Sequence, residues 1–275
     1  MKITFSSCFY VLKSKFDSII YQEWMNNFIS IANNFNLVIY TDEKSSIFIN
    51  TYNKPNIKII IKPLECFITY RFKQNWISNH EKNDLLNYNS PLRGRWDTSW
   101  ELNMLWSEKV WFVNETILKK YFDTEFYGYC DIGYFRNRSE DIHTNNLQTW
   151  PSENIIINLD KTKVHYGCIC NDNRILNYIN KIIKKKNSVG LPQNPIPPNQ
   201  NTISGGFFII HKQMIEWWSI EYTTKLKLYF EHNYLVKDDQ MIIADCIFSD
   251  PTNFKLYQER NLYFDNWFMF QRLLN

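Results

Sequence analysis

One short segment gathers residue types suited to chemistry: FYGYCDIGYFRN, residues 126–137. Along an extended strand Phe126, Gly128, Cys130 and Ile132 share one face, and Tyr127, Tyr129 and Asp131 share the other. The run is apolar until its carboxyl end, where Asp131 appears and Gly133 follows. In open α/β sheets the ligand crevice lies at the carboxyl ends of the strands. A carboxylate there, beside a glycine, suits a divalent cation carried on a diphosphate. Hard cations such as Mn²⁺ or Mg²⁺ take one or two carboxylates and complete their shell with phosphate oxygens and water. The same residues also describe a plain turn, capped by Asp131, with Gly133 at positive φ.

Two further segments carry candidate groups. ISGGFF, residues 203–208, puts Gly205 and Gly206 inside an apolar strand of a chain with only 7 glycines in 275 residues. Interior glycine weakens a strand and marks either a bulge or the close approach of a ligand or another backbone. Asp238-Asp239-Gln240 precedes Met241, Ile242 and Ile243, so one of the two carboxylates is an N-cap and the other is left for different work.

The strand, the Asp-x-Gly and the following aromatic resemble the Asp-x-Asp region of GT-A nucleotide-sugar glycosyltransferases. The longer run WELNMLWSEKVWFVNETI … FYGYCDIGYFR is similar, more particularly, to the HtrL/YibB family of bacterial and viral proteins. That pattern is a Lys-bearing helix, a hydrophobic-aromatic strand, then Asp-(Ile/Phe)-Gly-aromatic-Arg/His. The match is dense over residues 96–137 and collinear at the first two strands, at 203–208 and at 238–240. The resemblance implies one GT-A-like α/β domain over residues 1–275, with a mixed, mostly parallel sheet flanked by helices. It implies a glycosyltransferase of hexosyltransferase type, moving sugar from a nucleotide-diphosphate sugar, a UDP-sugar, to a glycan or other hydroxyl acceptor. Mn²⁺ or Mg²⁺ would sit on Asp131.

Within that frame Ser7, between Ser6 and Cys8, ends the first strand and would reach the base, or else serves core or turn. Thr41 and Asp42 end the second and would contact the nucleoside, or form the turn before Glu43-Lys44. Lys109, 22 residues before Asp131, would face the nucleotide and neutralise phosphate or bond the base, or lie on the surface, and Arg95, with Arg93, would contact the diphosphate or belong to a solvated loop. Gly205 and Gly206 wall the donor sugar or acceptor. Asp239, or its neighbour Asp238, takes the acceptor's proton or orients the sugar. Gly133 stands where many GT-A enzymes carry a second Asp. That departure leaves a second reading: a GT-A-like protein without turnover that binds glycans or a protein partner. A nucleotidyltransferase would carry a Gly-rich, basic loop after its first strand, and SSCFYVLKSK lacks the glycines.

The elements that must position these groups follow from pattern. Strands are expected at Ile3–Tyr10, Leu37–Tyr40, Ile57–Ile61, Phe126–Ile132, Ile155–Leu159 and Ile203–Ile210. Helices are expected near 18–33, capped by Asp17 with Ile19, Ile20, Trp24, Phe28 and Ile31 on its apolar face, and near 67–79, 99–114, 174–185, 212–231 and 239–247. Residues 89–98 read as a loop, and 184–201, rich in Pro and Asn, as an extended surface excursion or lid. Strand and helix alternate, which favours an α/β sheet.

Composition narrows the classes. Lys and Arg number 31 against 28 Asp and Glu, a net charge of +3, too mild for a phosphate-tracking surface, so nucleic acid is not an expected partner. With 44% hydrophobic and 17% aromatic residues the chain can build a sizeable core. No apolar run approaches 18 residues and the amino-terminal stretch has no secretory pattern, so a cytoplasmic protein (host cytoplasm if viral) with six free cysteines is expected. His165, Cys168 and Cys170 lack the spacing of a zinc site. No Walker A, GxGxxG or GxSxG is present, which removes the P-loop, Rossmann dehydrogenase and hydrolase readings.

Overall fold

In the computed structural model residues 1–14, 16–87 and 98–275 are described, the side chains of 83–87 excepted. In chain order the elements are β1 (Ile3–Phe9), α1 (Ser18–Ser30), β2 (Asn36–Thr41), α2 (Glu43–Ser46), β3 (Ile57–Ile61), α3 (Lys73–Asn87), α4 (Trp100–Leu118) and β4 (Phe126–Cys130). There follow α5 (Glu153–Ile157), β5 (Val164–Cys168), α6 (Asn173–Lys184), β6 (Ile203–His211), α7 (Ile215–Glu231), α8 (Asp239–Ser249), β7 (Phe254–Tyr257) and α9 (Phe270–Leu273). The strands join in one sheet of order β3-β2-β1-β4-β6-β5-β7. All neighbours pair parallel except at β6, which runs against both β4 and β5. The expected mixed, mostly parallel α/β sheet is what the chain forms.

Both faces of the sheet are covered, which is why its inner strands read as continuous apolar runs rather than alternating ones. One face packs on α4, α6, α7 and α8 through residues such as Phe112, Ile179, Trp218, Tyr222 and Ile242. The other packs on α1 and the carboxyl-terminal segment through Met25, Phe28, Trp150, Phe268 and Phe270. The alternation read from the sequence holds along β4: Phe126 and Cys130 enter the second core, Tyr127 and Tyr129 the first. Asp17 caps α1 as expected, its carboxylate accepting from the Ile19 amide at 2.9 Å. Ile19 and Ile20 do not join the buried face and lie exposed.

The reversal of β6 matters most for the site. It sets the amino-terminal end of β6 beside the carboxyl-terminal end of β4, with Cys130 opposite Phe207. The Asp131 amide then donates to the Gly206 carbonyl at 2.8 Å. Two motifs distant in sequence thereby become adjacent.

Some expectations are corrected. Ile155–Leu159 is not a strand. Residues 153–157 form one short helix, α5, in which only Ile156 is buried. Three consecutive β-branched residues suggested a strand, but Ser152 opens a helical turn there, its carbonyl accepting from the Ile155 and Ile156 amides at 3.1 Å. The strands β5 and β7 were not expected. VHYGC and FKLY are short and carry little alternation. The segment 184–201, read as a surface loop or lid, has no helix or strand after Lys184: Leu191, Pro192 and Ile196 are buried, Lys186 pairs with the fully buried Asp245, and Pro198, Asn199 and Asn201 line the cleft described below. Among the described residues no helix is long and apolar enough to cross a membrane, and all six cysteines are free.

Candidate active site

A cleft of about 630 Å³ opens where β4, the start of β6 and the start of α8 converge. Asp131, Gly133, Gly205, Gly206, Asp238, Asp239 and Lys109 all line it. Motifs from four separate parts of the chain therefore share one pocket.

At its floor a lysine bridges two carboxylates. Lys109 reaches from α4, buried, with its Nζ 3.2 Å from Asp131 Oδ1 and 3.2 Å from Asp239 Oδ2. It donates to the Gly205 carbonyl at 2.9 Å and lies over the Tyr129 ring. Burial alone would lower its pKa, but the charges of Asp131 and then Asp239 outweigh that and raise it, so the ammonium stays charged. The Asp239 carboxyl is pushed up to about 7 by its burial, and the charges of Asp238 and Asp131 act in the same direction while Lys109 opposes them. The Lys109 ammonium is the partner of Asp239 Oδ2. Asp131, by contrast, has a side chain 41% exposed, facing the open cleft.

The paired glycines exist for these carboxylates. A Cβ at Gly205 would lie 2.6 Å from Asp239 Oδ2, and one at Gly206 would lie 2.8 Å from Asp131 Oδ2. The close approach expected at this strand is made first by the protein's own acids. Both glycines still line the cleft.

Asp238 resolves the ambiguity of the acidic pair. It is the N-cap of α8, accepting from the Met241 amide at 3.3 Å. Asp239, the first residue of the helix, is the one held against Lys109. Gly133 sits in a turn closed by the Tyr134 amide donating to the Asp131 carbonyl at 3.0 Å, but it does not supply positive φ: among the described glycines only Gly190 does. Gly133 makes room for Trp24, whose Cε3 would lie 2.7 Å from a Cβ there.

Other expected contacts fall outside the cleft. Ser7 is interior to β1, which runs on to Phe9. It is fully buried, with an unpartnered hydroxyl. Thr41 turns its hydroxyl onto the Phe9 carbonyl at 2.6 Å, and Asp42 caps α2 through the Ser45 amide at 2.7 Å. Thr41 and Asp42 thus have local structural roles, and none of the three lines the Asp131 cleft. Arg93 and Arg95 lie outside the described residues. Lys109 is present as expected but sits against carboxylates rather than free for phosphate.

The cleft also contains groups the sequence reading passed over. Asn103 and Trp106 line it with Lys109, at three-residue steps along α4. Asn103 Nδ2 and Gln240 Oε1 are buried without hydrogen-bond partners. Trp267 and Phe268 form an aromatic wall, and Arg136 and Arg138 stand beside it. Gln240 directly follows the acidic pair, and Asn103 interrupts an otherwise apolar stripe of α4. Both signals were available in sequence.

No family model matches the chain, and no curated protein is significantly similar to it in sequence. Among solved structures it is similar to mouse xyloside xylosyltransferase 1 in its apo form, at a TM-score of 0.46 and 10% identity, covering 94% of this chain and 86% of that one. Such identity carries no residue's role across, so the chemistry rests on the groups of the cleft themselves.

Proposed function

We propose that the chain is a GT-A-like glycosyltransferase that moves a sugar from a nucleotide-diphosphate donor, a UDP-sugar, to a hydroxyl acceptor on a glycan or similar molecule. The observation that carries this reading is the set of unsatisfied polar atoms in an aromatic-walled cleft. Asn103 Nδ2 is a donor without an acceptor, and Gln240 Oε1 is an acceptor without a donor. Buried polar atoms left unpaired are costly, and a ligand that supplies partners recovers that cost. A sugar offers hydroxyls that both donate and accept, on a ring whose apolar faces suit Trp106, Trp267 and Phe268.

In the transfer step the acceptor hydroxyl attacks the anomeric carbon. The new C–O bond forms as the bond to the diphosphate oxygen breaks, and the nucleoside diphosphate leaves with that electron pair. The hydroxyl proton goes to Asp239, which lines the cleft and whose raised pKa lets it accept a proton near neutral pH. Lys109 fixes Asp239 against Asp131 and keeps the buried acid partly ionised. Asp238 holds the helix start that presents Asp239.

A divalent cation fits Asp131 in the single-carboxylate manner of hard ions, because that side chain faces the cleft and phosphate and water complete such shells. When bound, Mn²⁺ or Mg²⁺ would supply charge stabilisation to the leaving diphosphate. Among the described residues no group of three metal-ligating side chains gathers there, so the ion would arrive with the donor.

The test is a panel of sugar nucleotides assayed for binding, hydrolysis and transfer, with and without Mn²⁺, in wild type and Asp131→Ala. Turnover of one donor, weakened in the variant, supports the reading. Binding without turnover selects the inactive glycan- or partner-binding alternative, and neither binding nor turnover removes the proposal.

A further inference from the structure

Among the described residues, charge pairing within the cleft singles out one cation. Lys109 lies between two carboxylates. Arg138 pairs with Asp141 and Asp265, each at 2.9 Å, and Lys237 lies 3.6 Å from Asp238. Arg136 lines the same cleft, yet no carboxylate of the described residues forms an ion pair with it. Its guanidinium is held by other means. Its Nε donates to the Gly133 carbonyl at 2.8 Å. Its Cζ lies 4.1 Å from the Trp24 ring centre and 4.9 Å from that of Phe268. Burial, then the charge of Arg138, lowers its pKa, so the cation sits in surroundings that favour a counter-charge.

We infer that Arg136 is the anion anchor of the cleft, taking phosphoryl oxygens of the donor's diphosphate through its two terminal nitrogens. The assignment rests on the sugar-transfer reading for the identity of the donor, though not for the anion. Nε is engaged by Gly133, so the free edge of the fork is the Nη1–Nη2 edge, which suits bidentate contact with phosphate. Trp24 and Phe268 flank the guanidinium and fix its position, so little side-chain entropy is lost on binding. Gly133 gains a function from this arrangement. Its missing Cβ admits Trp24 and its carbonyl holds Nε, so the residue standing in place of a second acid builds the seat of the arginine.

The experiment titrates inorganic pyrophosphate, UDP and uridine calorimetrically into wild type, Arg136→Gln and Arg136→Lys. Folding is checked by circular dichroism. Wild type is expected to bind pyrophosphate and UDP. Arg136→Gln is expected to weaken both roughly 10- to 100-fold and leave uridine unchanged. Arg136→Lys keeps a cation beside Trp24 while losing the fork, and should fall between the two even if the Gln variant folds poorly. Pyrophosphate binding that is absent in wild type, or equal in the folded variants, overturns the assignment. Arginine-dependent pyrophosphate binding without turnover of any sugar nucleotide upholds it while removing the transfer reading. Turnover undiminished in Arg136→Gln does the reverse.

Discussion

The carboxylate of Asp239 occupies the space that a side chain at Gly205 would need: Oδ2 lies 2.6 Å, and Oδ1 2.9 Å, from the position of a Cβ. Gly206 stands in the same relation to Asp131 at 2.8 Å. The two collisions differ in their relief. Asp239 is buried and paired with Lys109, whereas Asp131 is 41% exposed and can swing into the cleft. Gly205→Ala is therefore expected to cost about 1–3 kcal/mol and most of the activity, and Gly206→Ala distinctly less of both. Melting curves and initial rates of the two variants give the comparison. An equal or reversed ranking contradicts the packing described.

The pH dependence follows from Asp239. Its pKa of about 7 lies above the ordinary 3.8, so the base form appears as pH rises through neutrality. The groups facing it are Lys109, Asp131 and Asp238. Rate should climb through pH 7 on its acid limb. For stability the sign is opposite. A raised acid pKa contributes fully below about pH 4 and is lost as pH rises through about 7. Asp239→Asn should thus melt higher than wild type at pH 8, the advantage shrinking toward pH 4. Parallel melting profiles of the two proteins across this range would refute the shift.

Lys109→Met removes the cation between two acids. A buried pair broken on one side costs roughly 3–5 kcal/mol, and the exposure of Asp131 reduces this to about 2–4 kcal/mol at pH 8. The loss should be smaller at pH 5, where Asp239 is protonated. Denaturant midpoints at the two pH values test it, and a pH-independent effect would mean that Lys109 matters only through packing.

The unpaired amide of Asn103 predicts a trade of stability against recognition. Asn103→Leu removes a buried donor without an acceptor and should stabilise the free protein by about 1 kcal/mol. It should also raise KM for the sugar nucleotide on the order of tenfold with kcat less affected. A variant that gains stability and keeps its KM would show that the amide faces no ligand.

Much of the framework was legible in sequence. Aromatic and β-branched runs marked β1, β3, β4 and β6, and the acidic or polar residues before helices marked their starts, as at Asp17 and Asp238. The convergence of Asp131, Lys109, Gly205, Gly206 and Asp239 was also within reach. What sequence withheld was direction and partnership. Nothing in ISGGFF shows that β6 runs antiparallel, and that reversal alone brings Gly206 to Asp131. At Ser7, Thr41 and Asp42 the sequence left ligand contact open beside a turn or core role, because a polar residue near a strand end serves either, and the fold gives Thr41 and Asp42 backbone partners. Arg136 was missed because its setting comes from Trp24 and Phe268, distant in sequence and adjacent only in the fold.

The most direct test of the transfer site is hydrolysis of UDP-sugars by wild type and Asp239→Asn at pH 8, with UDP affinity measured alongside. Wild type should release UDP from at least one donor, and the variant should lose roughly 100-fold or more of that rate while binding UDP as before. A folded Asp239→Asn that turns over at the wild-type rate would contradict the account.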